Sequence, residues 1–328
     1  MEYRQLGRTG IQVSEIGFGA WAIGGATEAG GVPLGWGNTS DTESMAAIRR
    51  ARELGVNFFD TADIYGNGRS ESLLGIVLSR RRDEVVIATK VGNVRTSSGE
   101  HRKDFSKQHI FYAIDGSLKR LRTDYVDVYQ IHNPTLADLR RGEIQEAMEM
   151  LQDWGKIRVW GVSVSLPEEA VEIIRNGWGY TIQVLFNILN QQPAEVLFPL
   201  AAERGYGIIG RVPLASGLLT GKFRVDSSFS ANDVRQNFLT PRRLVEALQR
   251  VDEVKGIVAG TARNLTEAAL RFVLSYPEVS TTIPGARNEH QVEINVAAAG
   301  APLPRPVVER LEERLGNYNF YLRHSIRV

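Results

Sequence analysis

The feature that most constrains the fold of this chain is a repeated alternation between short apolar or β-branched runs and segments with helical periodicity. The runs expected to form strands occupy residues 15–20, 56–62, 85–91, 125–132, 158–164, 181–189, 207–213 and 279–284. Strands that alternate with helices favour a parallel sheet, and eight such units can close into a barrel. The pattern therefore predicts an α/β fold, a (β/α)8 TIM barrel, in which residues 1–328 form a single domain.

The first predicted helix has clear signals at both ends. Ser40 stands three residues before Glu43, which is the spacing of a capping box, and Gly55 stands where a left-handed cap is needed. Helical periodicity between these signals predicts a helix over residues 45–54.

Two segments interrupt the alternation. Residues 24–39 are rich in glycine, and residues 217–240 are polar with a serine-rich middle. Because both follow predicted strands, they are expected to be long loops at the catalytic mouth, the alternative being plain surface loops.

Charge and composition exclude several classes of function. The chain has 39 Lys and Arg against 38 Asp and Glu residues, a formal net charge of +1, so it has no strong basic field for nucleic acid. It contains no cysteine, which excludes disulfides, thiol nucleophiles and thiolate metal sites. No apolar run reaches the roughly 18 residues of a membrane span, and the start of the chain lacks a signal peptide's apolar region. We therefore expect a cytoplasmic protein.

Three common functional motifs are absent from the sequence. The glycines after the first predicted strand do not have the G-x-G-x-x-G spacing of a doubly wound dinucleotide fold. Gly161 and Ser163 are followed by serine at position 165, where the G-x-S-x-G motif of hydrolases requires glycine. The five histidines are scattered, without an i, i+4 pair or an acidic cluster, so no metal site is predicted.

Four residues with catalytic chemistry stand at or just after the ends of predicted strands. Asp60 and Tyr65 belong to the segment D-T-A-D-I-Y-G, Lys90 ends the third run within I-A-T-K, and His132 ends the fourth. The C-terminal ends of barrel strands meet at the mouth, where barrel enzymes carry out their chemistry. These four side chains are therefore predicted to meet in one site.

The four residue types complement one another chemically. A lysine at the end of an apolar strand is expected to be buried and to need a carboxylate partner, for which Asp60 is the nearest candidate. A neighbouring ammonium favours the phenolate, so Lys90 is expected to lower the pKa of Tyr65 from about 10. Each residue also has an ordinary interpretation on its own: a helix cap, a packed loop aromatic, a structural ion pair or a core histidine. The order of all four together favours an active site.

These motifs, with I-H-N-P after the fourth strand, resemble the catalytic tetrad of the aldo-keto reductases, in particular their longer-chain bacterial branch. The resemblance covers nearly the whole chain. It implies that Tyr65 protonates the carbonyl oxygen as a general acid, that Lys90 and Asp60 tune it, and that His132 orients and polarises the carbonyl. It also implies that hydride comes from a nicotinamide cofactor.

The ends of the chain resemble the same family. Residues 1–11 resemble the hairpin that plugs the bottom of the barrel, and residues 302–328 resemble a closing helix and tail.

By the same resemblance, NADPH would lie extended across the mouth. Ser163 and Gln183 match the residues that hydrogen-bond the nicotinamide carboxamide, and residues 213–222 match the loop that passes over the pyrophosphate. Arg287, within I-P-G-A-R, offers a bidentate donor to a 2′-phosphate. The implied cofactor-binding residues are Gly19, Ala20, Trp21, Asp60, Ser163, Gln183, Arg211, Pro213, Leu214, Gly217, Leu218, Thr220, Gly221, Lys222, Gly285, Arg287, Gln291 and Asn295.

The chain departs from the family pattern at three places. Arg211-Val212 stands where many relatives stack an aromatic on the nicotinamide, so stacking is expected to be cationic or absent. Val164 replaces a usual asparagine, and Ile294 replaces a usual glutamate. These departures affect the expected carboxamide and adenine contacts, and together they weaken binding by about a few kcal/mol at most.

The resemblance implies NADPH-dependent reduction of aldehydes or ketones to alcohols. Trp21, Trp36, Tyr65 and His132 are expected to shape the substrate pocket, and small aldehydes, dicarbonyls such as methylglyoxal, and aldoses are all suitable substrates. The expected partner is a small carbonyl compound, with no nucleic acid or membrane, and the expected state is a monomer or weak homo-oligomer.

Two other functions are open at this point. The potassium-channel β subunits keep the barrel and the tetrad but serve chiefly as cofactor-sensing partners, although no channel-docking feature is evident in this sequence. An aldolase-type barrel would instead use Lys90 as a Schiff-base nucleophile.

Overall fold

The chain forms a closed barrel of parallel strands. In the computed structural model, which describes residues 1–96 and 99–326, the barrel strands are β1 (Phe18–Gly19), β2 (Phe58–Asp60), β3 (Val86–Val91), β4 (Val126–His132), β5 (Ile157–Ser163), β6 (Thr181–Leu185), β7 (Gly207–Arg211) and β8 (Val279–Thr282). Each strand pairs in parallel with the next. Bridges from Ile16 to Thr282 and from Gly19 to Gly285 close the sheet on itself. The predicted (β/α)8 barrel is therefore confirmed.

The helices are α1 (Asp41–Glu53), α2 (Arg69–Leu78), α3 (Lys107–Leu121), α4 (Leu136–Arg140), α5 (Glu143–Asp153), α6 (Pro167–Arg175), α7 (Gln192–Val196), α8 (Phe198–Arg204), α9 (Pro241–Val258), α10 (Leu265–Leu274), α11 (Glu289–Val296), α12 (Arg305–Leu315) and α13 (Phe320–Arg323). Helices α1 to α10 lie between the strands along the chain, and α11 to α13 follow the last strand. Within the described ranges, none of them is long and apolar enough to cross a bilayer.

The ends of α1 follow the sequence signals, but the helix starts earlier than expected. The Ser40 Oγ accepts a hydrogen bond from the Glu43 amide at 3.4 Å, and Gly55 has φ +88°. The helix begins at Asp41 rather than at residue 45. The apolar periodicity does not extend to its first turn because that turn is polar, and acidic residues there are favourable at a helix N-terminus.

Side chains along the strands alternate between the inside of the barrel and its outer face. Phe58 and Val128 belong to one buried apolar cluster, whereas their chain neighbours Phe59 and Tyr129 belong to a second cluster shared with the helices. Because every second residue shares a face, Asp60 lies on the same inner face as Phe58, one step nearer the C-terminal end of β2.

An N-terminal hairpin closes the opposite end of the barrel. Tyr3–Gln5 pairs antiparallel with Gln12–Ser14, and Leu6 and Val13 are completely buried in the inner apolar cluster. The hairpin extends past the predicted residues 1–11, because Gln12–Ser14 is its returning strand.

The C-terminal segment carries α12 and α13, and its residues 327 and 328 lie outside the described part of the chain. The Phe320 amide donates to the Leu189 carbonyl at 2.9 Å, and the Tyr321 hydroxyl shares a 2.7 Å hydrogen bond with Ser216. The tail therefore packs against the loops that follow β6 and β7.

The two long loops at the mouth are joined to each other. Residues 24–39 follow β1 and residues 217–240 follow β7. The Val234 amide donates to the Gly35 carbonyl at 2.8 Å, and the Asn237 side chain adds a hydrogen bond of 3.0 Å to the first loop. Together these two loops form the clasp, which lies over one part of the mouth.

Candidate active site

Polar side chains form a layer above the apolar interior of the barrel. In the strand register, Gln130 of β4 pairs with Lys90 of β3, Asp60 of β2 pairs with Ala88, and Ser163 of β5 pairs with Gln183 of β6. Strands β2 to β6 thus each deliver an inward polar side chain near the C-terminal end of the barrel. Asp60, Lys90 and His132 meet near this level because they share strand parity, and Tyr65 reaches them from the turn that follows β2.

Lys90 and Asp60 form a buried ion pair at the base of the site. Lys90 is 0% exposed and Asp60 is 2% exposed, and the Nζ donates to Asp60 Oδ1 at 2.5 Å. The same ammonium donates to the Thr61 carbonyl at 2.8 Å and to the Tyr65 hydroxyl at 3.3 Å. Burial lowers the pKa of Lys90, but the attraction to Asp60 and to the phenol outweighs it and leaves the pKa raised.

This environment disfavours the aldolase alternative. A Schiff-base lysine must be available as a neutral amine, usually through a lowered pKa. The Lys90 ammonium instead has a raised pKa and donates to three acceptors.

The second carboxylate oxygen of Asp60 is held by two amides. Gln130 Nε2 donates to Oδ2 at 2.9 Å, and Gln183 Nε2 donates to the same oxygen at 2.7 Å. Gln183 also donates to Gln130 Oε1 at 3.1 Å. Asp60 is therefore fixed by strands β3, β4 and β6, and Gln130, which sequence reasoning missed, belongs to its support.

Tyr65 remains protonated in this site. Burial raises the pKa of Tyr65, and the adjacent Lys90 ammonium offsets only part of that rise. The expected net lowering of this pKa does not occur, because removal of the phenolate from water costs more than one nearby cation returns. A protonated phenol at neutral pH is the form that can donate a proton.

His132 faces Tyr65 as a neutral imidazole. Its ring lies 6.0 Å from the Tyr65 ring in an edge-on arrangement. Burial, followed by the nearby Lys90 charge, lowers the pKa of His132 well below its ordinary value. Its Nδ1 is a buried atom without a hydrogen-bond partner in the described structure. A neutral imidazole keeps one N–H, which can donate to a carbonyl oxygen.

A cleft of about 630 Å³ extends from the tetrad to beneath the clasp. Most of the residues expected to bind cofactor or substrate line it. These are Gly19, Trp21, Trp36, Asp60, Tyr65, His132, Ser163, Gln183, Arg211, Pro213, Leu214, Gly217, Thr220, Lys222, Gly285, Arg287, Gln291 and Asn295.

Four expected site residues do not line the cleft. Lys90 lies completely buried behind Asp60 and Tyr65. Ala20 and Leu218 are also completely buried, because they pack in the core shared with the helices. Gly221, with φ +74°, ends the turn that follows β7.

The cleft also contains residues that sequence reasoning missed. They are chiefly Asn67, Asn93, His101, Asn133 and Arg235. Asn133 directly follows His132 at a strand end, so its position carried a usable signal. Arg235 lies in the polar loop after β7, where no periodicity indicates which side chains turn inward.

Three cations converge where the cleft passes beneath the clasp. Lys222 and Arg287 have pKa values lowered first by burial and then by nearby cations, among them Arg235. Asp233 is the carboxylate among them, and it pairs with Arg235 at 2.5 Å. Three positive groups and one negative group leave a surplus of positive charge, which suits the phosphates of a dinucleotide.

Arg211 also lines the cleft, close to Tyr65 and Asp60 of the tetrad. It is 8% exposed, and its guanidinium donates to the Val164 carbonyl at 3.1 Å. Burial lowers its pKa, while Tyr65 and Asp60 raise it. A planar guanidinium is thus held beside the tetrad, at the position where the family resemblance implies a residue that stacks on the nicotinamide.

Known proteins match this chain along almost its full length. The model of the aldo/keto reductase family matches residues 15–315. An uncharacterised oxidoreductase of Bacillus subtilis, YqkF, is 32% identical to this chain, with 92% of each chain covered. A probable voltage-gated potassium channel β subunit of rice is 34% identical, with 95% of this chain and 96% of the relative covered. The holo structure of the aldo-keto reductase AKR11C1 from Bacillus halodurans superimposes with a TM-score of 0.78 at 33% identity, covering 95% of this chain and 96% of that one. With the barrel and its tetrad in place, the chain belongs to the aldo/keto reductase family of oxidoreductases.

Proposed function

We propose that this protein is an NADPH-dependent reductase that converts aldehydes or ketones to alcohols within a single barrel domain. The observation that carries the proposal is the position of the Tyr65 phenol, 3.3 Å from an ammonium that Asp60 neutralises, with the neutral His132 ring facing it. This arrangement can protonate an oxygen on which negative charge develops.

The proton comes from Tyr65. As it leaves the phenol, Lys90 stabilises the phenolate through its hydrogen bond, and the Asp60 carboxylate keeps Lys90 positioned and charged. The neutral His132 ring can donate a second hydrogen bond to the carbonyl oxygen without competing for the proton. When bound, the nicotinamide supplies the hydride that the carbonyl carbon accepts.

The cleft fits the proposed cofactor at both ends. Ser163 and Gln183 would hold the nicotinamide amide, and Arg211 would lie against its ring. Lys222 and Arg287 would hold phosphates at the cationic end. A 2′-phosphate adds negative charge where the protein carries a surplus of positive charge, which favours NADPH over NADH.

The walls of the cleft favour a small carbonyl substrate. Trp21 stacks on Tyr65 with ring centroids 5.9 Å apart, and Trp36 meets Trp21 at 4.9 Å. Asn93 and His101 supply polar groups on another wall. Small aldehydes, dicarbonyls such as methylglyoxal, and aldoses are the substrates we propose.

The replacement Tyr65→Phe tests the proposal, because it removes the proton donor and little else. We expect steady oxidation of NADPH by the wild type with some members of a panel of sugars, dicarbonyls and aromatic aldehydes. In Tyr65→Phe, kcat should fall by about 100-fold or more, with NADPH affinity nearly unchanged.

Tyr112→Phe is the matched control, since Tyr112 is 79% exposed on α3 and should not affect turnover. Turnover of Tyr65→Phe at the wild-type rate would remove Tyr65 from the mechanism.

The similarity to the rice channel subunit supports a second candidate, a cofactor-sensing partner of a membrane channel. Such a sensor would oxidise bound NADPH at most once and slowly, whereas a reductase turns over many times. Product formed per enzyme in a long incubation with excess aldehyde and NADPH therefore separates the two candidates.

We further propose a cytoplasmic location and a monomer or weak homo-oligomer. Light scattering after size-exclusion chromatography measures the oligomeric state directly, and a stable higher assembly would contradict this proposal.

A further inference from the structure

Trp36, in the first loop of the clasp, is contacted by two arginines of the cationic end. The Arg287 guanidinium donates to the Trp36 carbonyl oxygen. The Arg235 guanidinium lies over the Trp36 ring, 5.1 Å from its centroid, and the backbone of Trp36 bridges to Asp233. Both arginines that hold Trp36 thus belong to the proposed phosphate site.

Trp36 is also connected to Tyr65. Its ring meets the Trp21 ring edge-on at 4.9 Å, and Trp21 stacks on Tyr65 at 5.9 Å with planes 20° apart. The Trp21 indole N–H donates to the Leu34 carbonyl at 3.1 Å, which ties it to the same loop. A continuous series of contacts therefore joins the arginines to the wall of the carbonyl pocket.

The cations at the arginine end of this series repel one another. Arg287 and Lys222 are each destabilised in their charged form by burial and by Arg235. An anion among these groups would reduce their mutual repulsion and favour the positions in which both arginines contact Trp36. A guanidinium has five N–H donors, so Arg287 can bind a phosphate and keep its bond to the Trp36 carbonyl.

We propose that Trp36 couples the 2′-phosphate site to the carbonyl pocket. An anionic group bound by Arg287 and Arg235 fixes Trp36, and Trp36 in turn holds Trp21 against Tyr65 in the arrangement that binds the substrate. Trp36 is thus a positioning residue that acts through Trp21. The inference rests on the proposed nucleotide-dependent function, but it concerns a coupling between two sites that the function itself does not require.

Tryptophan fluorescence tests the coupling without any turnover. Adenosine 2′,5′-bisphosphate and adenosine 5′-monophosphate differ only in the 2′-phosphate, and calorimetry measures whether each one binds. We expect the bisphosphate to change emission and to protect tryptophan from acrylamide quenching, and the monophosphate to do so much less. The difference between the two nucleotides in emission and quenching should be lost in Trp36→Phe. It should be kept in Trp154→Phe, because Trp154 is 51% exposed on the outer surface at the end of α5.

Kinetics supply the second measurement. The KM for a carbonyl substrate, at saturating cofactor, should be lower with NADPH than with NADH by about fivefold or more. Trp36→Leu should bring the two KM values together by raising the one measured with NADPH. Arg287→Met should have the same effect, whereas Arg310→Met, an exposed arginine of α12, should not.

The results separate this inference from the proposed function. If no carbonyl compound oxidises NADPH, the proposed function fails, and the fluorescence comparison still decides the coupling. Failure of the bisphosphate to bind would overturn the coupling. So would bisphosphate binding with an emission response equal to that of the monophosphate, or a KM difference that persists in Trp36→Leu.

Discussion

Replacing Asp60 with Asn should destabilise the fold strongly and in a pH-dependent way. The wild-type carboxylate is the charge partner of Lys90, which is completely buried, and it also accepts hydrogen bonds from Gln130 and Gln183. Removal of one partner of a buried ion pair costs about 3 to 5 kcal/mol. If the new amide keeps its oxygen toward Lys90, its NH2 faces two donors, which adds to the cost.

The pH dependence follows from Lys90. In the wild type its pKa is raised above the ordinary 10.5, so its contribution to stability is fully present below pH 10.5 and is lost only as pH rises through the raised value. Without Asp60, burial, which is the largest influence on the Lys90 pKa, is opposed only by Tyr65, so we expect the folded-state pKa of Lys90 in the variant to lie below 10.5. Between the lowered folded-state pKa of Lys90 in the variant and 10.5, its ordinary value in the unfolded chain, the unfolded variant binds up to one more proton than the folded variant. The destabilisation should therefore shrink by up to about 1.4 kcal/mol per pH unit as the pH rises.

Equilibrium urea unfolding, followed by circular dichroism between pH 6 and pH 9.5, measures the effect. Asp252→Asn is the control, because Asp252 is exposed and pairs with an exposed Lys255, an interaction worth about 0 to 1 kcal/mol. The reasoning is refuted if Asp60→Asn lies within about 1 kcal/mol of the wild type at pH 7. A destabilisation that grows with pH would refute it equally.

Two further results are expected. Gly161→Ala should lower the free energy of unfolding by about 1 to 3 kcal/mol, because the new Cβ would overlap the Thr181 side chain and lie 2.5 Å from the Thr181 carbonyl oxygen. Gly256→Ala is the control and should not lower it, because Gly256 has open space around it in α9. Equal urea midpoints for the two variants would contradict this prediction. Because His132 is neutral in the folded protein, kcat should show no imidazole ionisation between pH 6 and pH 8, and an inflection near pH 6.5 that is absent from His132→Gln would show that the ring titrates there.

The strands and the tetrad could be predicted because their signals are local. Uniformly apolar runs separated by helical segments locate the strands, and the residue at the end of each run must face the mouth of a barrel. The exact ends are less certain from local signals. Strand β6 stops at Leu185 although apolar residues continue to position 189, because the backbones of Asn187 and Asn190 pair with each other in a turn.

The support of the site could not be predicted, because it depends on contacts between distant segments. Gln130 reads as one polar residue within an apolar run, and only the register of β3 against β4 places it beside Lys90. The raised pKa of Tyr65 depends on how far burial outweighs a single nearby cation, which a sequence does not specify. Arg235 reaches Trp36 only because two loops more than half the chain apart are hydrogen-bonded together.

That pairing of loops limits how the specificity of this enzyme can be redesigned. Asp60, Lys90 and His132 stand on barrel strands, and Tyr65 stands on the turn after β2, outside both loops of the clasp. A foreign clasp loop would therefore leave the backbone positions of these four residues in place. A graft of residues 24–39 alone, however, would change the backbone path that places the Gly35 and Pro33 carbonyls opposite the Val234 amide and the Asn237 side chain. Successful transplants from a relative should therefore exchange residues 24–39 and 217–240 as one unit.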